Sequence, residues 1–383
     1  MPEPRTRPRS LLAVAVRILS RFFGGRIGPS REGALCRVAG SLAVAAALAL
    51  ALGGCEDGTG PAAPRADTLG VVLNSVDLSL TLFDAASPTS SAPVTVGLAP
   101  DGSPVSLAVR GSLAAVPLGT VPAVAVVDLE TASLLRTISL PEGSGATGVA
   151  FLDDSTTVVA NPGRNTVSPV DLRDGTVGAE VPVGGYPQGV VVAGERVVVV
   201  NGELGPDFQP AGPGTLTVLD RATLAMEGSV TLSGENPGSA VVAPGGRLYV
   251  VLSGTFGAGD GSLSVVDLGL LEETAHHPGF GEFPFAAALG PAGRLYVASF
   301  AYGVAVWDPA SETFVRSPDD AVTPGGIPSV SGLAFDPRGR LHALRPDCQA
   351  PGAVLRLSDR FTVDAMVPVG TCPIAIGFTT PSG

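Results

Sequence analysis

The chain has no lysine: all 23 basic residues among its 383 are arginine. Charged residues make up only 15%, aromatics 5%, and there is a single tryptophan. Eight of the arginines precede Cys55, so the rest of the chain sets 15 Arg against 33 Asp and Glu. A surface that acidic disfavours nucleic acid and anionic lipid head groups, and no nucleic-acid partner is expected. Histidine is nearly absent too. His276 and His277 are adjacent, so on a strand they face opposite ways and cannot share one metal, and His342 sits alone in another strand. There is no zinc-ligand spacing and no G-x-S-x-G nucleophile turn. No catalytic residue, metal or cofactor is therefore expected. The apolar run 42–52, LAVAAALALAL, falls well short of the ~20 residues a membrane-spanning helix needs.

That run instead has the length of the apolar region of a secretory signal. Leu52-Gly53-Gly54-Cys55 follows it at once and resembles the lipobox of bacterial lipoproteins. The resemblance implies that Cys55 becomes a lipidated N-terminus; the alternative is an ordinary signal peptide with a chance cysteine. Residues 1–54 form the signal region, over-long for its kind and consistent with a start codon placed too early. Residues 55–67 read as a flexible tether. The expected location is the cell envelope, lipid-anchored, periplasmic or at the cell surface. By resemblance to the sorting rule of diderm bacteria, Glu56 after the cysteine leans toward the outer membrane. The membrane would be contacted through the lipid.

From residue 68 the chain repeats. Glycine (51) and proline (35) are abundant but lie between short valine-rich runs, the composition of many strands and tight turns. A strand ending in Asp recurs at Asp84, Asp128, Asp171, Asp220, Asp267, Asp308 and Asp359. Ahead of each Asp stands a second strand, as in GERVVVVNG and GGRLYVVLS, and ahead of that a short small-residue strand, as in PQGVVV and PFAAAL. Four strands in about 45 residues is the period of a propeller blade. The repeated carboxylate is expected to accept backbone N–H groups in the following turn rather than to catalyse. The first unit starts with its second strand, and the last segment, Cys372 to Phe378, is an inner strand with no blade after it. The expected fold is thus all-β: a seven-bladed propeller over 68–378, four antiparallel strands per blade, closed by the C-terminal strand, with 379–383 a tail.

The wording of the unit resembles the YVTN family of propellers, whose repeat runs roughly Pro-x-Gly-Val-Ala, Tyr-Val-Ala-Asn, Val-Ser-Val-Ile-Asp and Val-Gly before the next Pro. Residues 147–189 are the nearest copy, and RLYVVLSG (247–254) and RLYVASF (294–300) carry the Tyr-Val core. The resemblance implies the fold and little about function. The periodic signature of WD40 repeats is missing.

Two cysteines remain in the fold. Cys348 falls in a loop between second and third strands and Cys372 just before the last inner strand, so both belong on one face of the closing blade. In an exported chain this invites a disulfide. Propeller enzymes resembling gluconolactonase hold a metal with acidic and amide side chains around the channel. The inner strands here offer Val, Ala, Ser, Leu and Gly, and Asp336 reads as a turn residue before Pro337. A lactonase or gluconolactonase type of activity stays as the alternative to the main reading, a binding or scaffolding module for a protein or ligand in the envelope. The long loops 203–214, 253–261 and 345–352 point to the face it would use, with Phe208, Phe256, Phe300 and Tyr302 as its exposed aromatics. Asn161 and Asn201 in the same region are expected to serve turn geometry.

Overall fold

A run such as Arg196–Asn201, RVVVVN, has no polar face to turn to water, so it is stable as a strand only if both faces are covered. A computed structural model, which describes residues 66–380, shows how this is met. Seven four-stranded antiparallel blades stand in a ring, and the valine-rich runs are their middle strands. The blades run from Ala108–Arg110 to Ser133–Ser139, Val149–Phe151 to Val181–Pro182, Pro187–Ala193 to Met226–Glu235, Pro237–Val242 to Glu272–Gly281, Pro284–Leu289 to Thr313–Arg316, and Gly332–Phe335 to Val363–Thr371. The first blade is composite: Pro373–Thr379 is its inner strand, followed by Leu69–Asn74, Ser79–Asp84 and Val94–Gly97. Cys36 and Cys55 lie outside the described residues.

Apolar clusters form between each blade and the next, such as Val198, Val200, Leu216 and Val218 against Leu248, Val250 and Val266. Outer strands alternate instead, one face packed and one wet, as along Met226–Glu235. In the third blade the outer strand shrinks to Val181–Pro182. The strand it should pair with carries Pro169, which has no N–H to give to a ladder.

The closing ladder runs from Leu69↔Thr379 to Asn74↔Pro373, extending one residue past the expected boundary at 378. Cys348 and Cys372 are bonded, with Cα atoms 4.2 Å apart. They join the second-to-third-strand loop of the last blade to the approach of the closing strand. Hydroxyl or amide side chains reach across five of the other six seams to carbonyls beside the inner strands: Ser75 to Pro104 (2.7 Å), Ser106 to Thr147, Thr147 to Pro187 (3.2 Å), Gln188 to Pro237 (3.1 Å) and Ser253 to Pro284 (2.6 Å). Ser331 does the same to Pro373 (2.6 Å) at the closure.

The repeated aspartates work as expected in six blades. Asp128 Oδ1, for one, accepts Glu130 N (2.8 Å) and Thr131 N (3.1 Å), and Asp84, Asp171, Asp220, Asp267 and Asp308 cap the same turn. The seventh corrects the alignment. Leu357 pairs with Leu341, so Ser358, not Asp359, falls where Asp220 pairs with Arg196 elsewhere. Its hydroxyl accepts Arg360 N and Thr362 N, both at 3.3 Å.

The bridge spans 24 positions, for which chain entropy predicts about 3 kcal/mol of stabilisation. Cys348→Ser with Cys372→Ser should lower the melting temperature by several degrees while leaving the strand content unchanged, because the blade interfaces persist. Thermal melts by circular dichroism, with and without reductant, check this. An unchanged melting point would mean that the seam is not where the ring first opens.

Candidate functional site

The loops between second and third strands share one face of the ring with the segments that lead into each inner strand. In four blades this lead-in reads Gly-x-x-Pro: Gly184 to Pro187, Gly234 to Pro237, Gly281 to Pro284 and Gly370 to Pro373. The residue before the proline is left-handed every time: Tyr186 (φ 51°), Asn236 (51°), Phe283 (46°) and Cys372 (58°). Proline disfavours the right-handed helical region for its predecessor, and a left-handed non-glycine costs about 1–2 kcal/mol. Packing must therefore hold the turn.

Asparagines at the ends of second strands supply part of that packing. A Cβ on Gly184 would lie 2.5 Å from Asn201 Nδ2, and one on Gly370 would lie 2.9 Å from Asn74 Nδ2. Each amide is fully buried and donates twice to third-strand hydroxyls: Asn201 to Thr215 (3.1 Å) and Thr217 (3.0 Å), Asn161 to Thr166 (3.2 Å) and Ser168 (2.9 Å), Asn74 to Ser79 (3.1 Å) and Thr81 (2.9 Å). The Thr215 hydroxyl in turn donates a hydrogen bond to Glu203 Oε1 (2.6 Å), which also accepts one from Gly185 N (3.0 Å). The Asn161 and Asn201 side chains thus tie second to third strands, a role beyond the turn geometry expected of them, while Asn161 O also closes a turn by accepting Arg164 N (3.0 Å). Asn165 does serve a turn: its φ is 54° and its side-chain Oδ1 accepts Tyr186 N (2.9 Å).

Of the four expected aromatics, Phe208, Phe256 and Phe300 lie on this face, but half-buried and paired rather than exposed. Phe208 meets Tyr186 edge-on at 5.9 Å, Phe256 meets Phe283 at 5.9 Å, and Phe300 meets Phe285 at 5.4 Å. Their partners went unrecognised in the sequence, although two of the three stand directly before an inner-strand proline, which is a readable signal. Burial pushes the Tyr186 phenol up to about 12. Tyr302 corrects the expectation further. Its hydroxyl is buried without a hydrogen-bond partner, and its ring lies 3.3 Å from where a Gly281 Cβ would be. Burial drives its pKa up as well. No aromatic residue stands in this face's loops before Tyr186 or after Tyr302.

Charge is distributed unevenly. From Tyr186 to Tyr302 the loops of this face carry Glu203, Asp207, Glu235, Asp260 and Glu282 and no arginine. Of the arginines in the same blades, Arg196, Arg221, Arg247 and Arg294 stand at the opposite ends of the strands, while Arg316 ends the sixth blade's outer strand on this face and pairs with Asp320. None of the five acids joins an ion pair among the described residues. Four of them orient backbone instead: Glu203 accepts Gly185 N (3.0 Å), Asp207 accepts Gln209 N (3.2 Å), Asp260 accepts Thr255 N (2.9 Å) and Glu282 accepts Gly257 N (2.9 Å). One large connection of this face, residues 317–331, escaped the sequence reading. Within it Val322 pairs with Val304 in both directions at 2.9 Å, extending the short outer strand of the sixth blade.

The histidines divide as expected. His276 Nδ1 meets Ser264 Oγ (3.2 Å), whereas His277 stacks on Trp307 of the next blade, centroids 4.9 Å apart. His342 is fully buried in the seam between Phe83 and Phe378, with Nε2 3.2 Å from Asp336 Oδ2. Asp336 is more than a turn residue. It is buried, takes Arg338 N (2.9 Å) and Arg340 N (3.0 Å), and pairs with Arg340 Nε (2.7 Å). The same guanidinium donates to Ala85 O (2.7 Å) and Ala86 O (3.2 Å) of the first blade. Among the described residues no group of three or more His, Cys, Asp or Glu is placed to hold a metal.

No family model matches the chain, and no curated protein matches its sequence. Solved structures do. A functionally unknown protein from Desulfotomaculum acetoxidans superposes with a TM-score of 0.61 at 13% identity, over 82% of this chain and 99% of that one. Hydrazine synthase of Kuenenia stuttgartiensis gives 0.59 at 16%, over 73% and 90%. The WD40 β-propeller domain of Doa1 gives 0.54 at 12%, over 72% and 86%. At such identities the likeness is one of fold.

The seam cluster predicts a pH dependence. Burial lowers the His342 pKa below its ordinary 6.5, more than the Asp336 contact raises it. Burial would raise the Asp336 carboxyl, but hydrogen bonds from His342 and Arg340 outweigh it and hold the group well below the usual carboxylate range. In both cases the unfolded chain binds the proton more readily, so stability rises with pH. The histidine contribution is complete above about pH 6.5 and erodes below it; the aspartate contribution erodes only below about 3.8. Melting temperatures across pH 4–8 should fall from about 6.5 downward, and His342→Gln should remove the upper part of that slope.

Proposed function

We propose that the protein is a lipid-anchored propeller of the YVTN type in the bacterial cell envelope, acting as a binding or scaffolding module for a protein or ligand partner. One observation carries the reading: the chain enters the ring on the face opposite the aromatic loops. Leu69 pairs with Asp84 and Thr379, at the strand ends away from the lead-ins. A tether over 55–67 would therefore hold the ring from behind, within about 45 Å of the lipid at ~3.5 Å per residue, and the loop face would look away from the membrane. Loops on a rigid ring are where binding residues gather.

Two measurements test this. Labelled palmitate should enter the wild-type protein, and Cys55→Ala should abolish the label and move the protein out of the membrane fraction. Persistent labelling of the variant would refute the anchor. For the face, photo-crosslinkers placed at positions 208 and 283 should give discrete adducts in intact cells, while crosslinkers at 130 and 312, on the opposite face, should not. Equal adducts from both faces would refute the assignment.

A further inference from the structure

We propose that the loop face of the fourth to sixth blades docks a cationic, extended polypeptide segment. Its lysine and arginine side chains would seat against the three aromatic pairs, among carboxylates that join no ion pair among the described residues. This names the partner's chemistry and rests on the reading of the loop face as the binding face.

The argument is one of complementarity. Cations are drawn to the faces of tyrosine and phenylalanine rings, and nearby carboxylates add to the attraction. The rings Tyr186–Phe208, Phe256–Phe283 and Phe285–Phe300 stand in three consecutive blades, each half-buried. Glu203, Asp207, Glu235, Asp260 and Glu282 lie among them along the chain, and Asp207, Glu235 and Asp260 are exposed. Elsewhere on the same face the chain supplies its own counter-charge: Arg164 grips Glu180 at 2.7 Å and Arg316 grips Asp320 at 2.7 Å. The first lies in the third blade and the second at the outer edge of the sixth, and neither takes up any of the five acids of the aromatic sector. Within it, like charges sit uncompensated, and their mutual repulsion is relieved when a cation arrives. Spread over three blades, the surface suits a polymer carrying several cationic side chains better than a single small cation.

The test uses the full chain purified in detergent and a fluorescent ten-residue lysine peptide, with a ten-residue glutamate peptide and choline as comparators. The lysine peptide should bind at low salt and weaken as salt rises, and the comparators should not compete. Glu203→Gln, Asp260→Asn and Glu282→Gln together keep the acceptors that hold the loops while removing three charges, and should weaken binding about tenfold. Phe208→Ala with Phe283→Ala should weaken it about fivefold, an effect that survives added salt. Glu130→Gln, Glu195→Gln and Glu312→Gln on the opposite face should leave binding unchanged. Absence of binding at low salt, equal loss from both charge sets, or indifference to the aromatic pair overturns the proposal. Crosslinks from positions 208 and 283 without peptide binding would leave the loop face as a binding face and sink only its cationic partner.

Discussion

The ring depends on one ladder, that between Leu69–Asn74 and Pro373–Thr379. Every other strand pairing joins neighbours in sequence, and this one joins the two ends of the fold. It is fastened on both faces. On the loop face the Cys348–Cys372 bridge is reinforced by Thr371 N on Asp77 Oδ2 (2.6 Å). On the opposite face the Arg340 guanidinium crosses to Ala85 and Ala86 while Asp336 neutralises it. Between them Val72, Phe83, Leu344 and Val354 form the apolar filling. A buried ion pair adds little net stability against an apolar equivalent, but a misplaced one is costly, so it fixes which strands meet. That suits a seam whose partners could otherwise slip by one residue and turn their core outward.

The remaining seams carry apolar clusters and bonds from Ser, Thr or Gln to a carbonyl near the next inner strand. Arginines cross some of them too: Arg110 pairs with Asp154, Arg221 donates to Leu152 O (2.8 Å) and Arg196 donates to Leu268 O. Proline recurs at the accepting position, as at Pro187, Pro237, Pro284 and Pro373. It offers a carbonyl without bringing an N–H that would need a partner.

What could be read from the sequence follows what is local. The blade period, the composite first blade and the proximity of Cys348 and Cys372 all come from counting units, since each unit carries its own turn chemistry. The errors arise where a tertiary partner decides. Asp359 matched the pattern by letter, but ladder register put Ser358 at the capping position. Asn161 and Asn201 look like loop residues beside glycine, yet their amides are claimed by hydroxyls one strand away. Asp336 looked like a turn residue because its partners Arg340 and His342 are recognisable only once the strand returns. Phe208, Phe256 and Phe300 were found as loop aromatics, but their pairing with Tyr186, Phe283 and Phe285 needed the blades side by side. The 317–331 connection was hidden inside the longest interval between repeats.

Repetition itself separates what builds the ring from what uses it. Carboxylates that recur at one ladder position, from Asp84 to Asp308, cap turns in blade after blade and say nothing about a partner. The residue before the inner-strand proline behaves differently. Its backbone is the same in four blades, yet its side chain is Tyr186, Asn236, Phe283 or Cys372. Cys372 is spent on the seam, and Asn236 accepts Gln188 Nε2 (2.9 Å) and donates to Gly254 O (3.3 Å), joining neighbouring parts of the ring. Tyr186 and Phe283 close no seam and cap no turn. Their rings meet Phe208 and Phe256 of the second-to-third-strand loops of the fourth and fifth blades. A position whose backbone the fold holds constant while its side chain varies is one where closing the ring does not by itself dictate the residue.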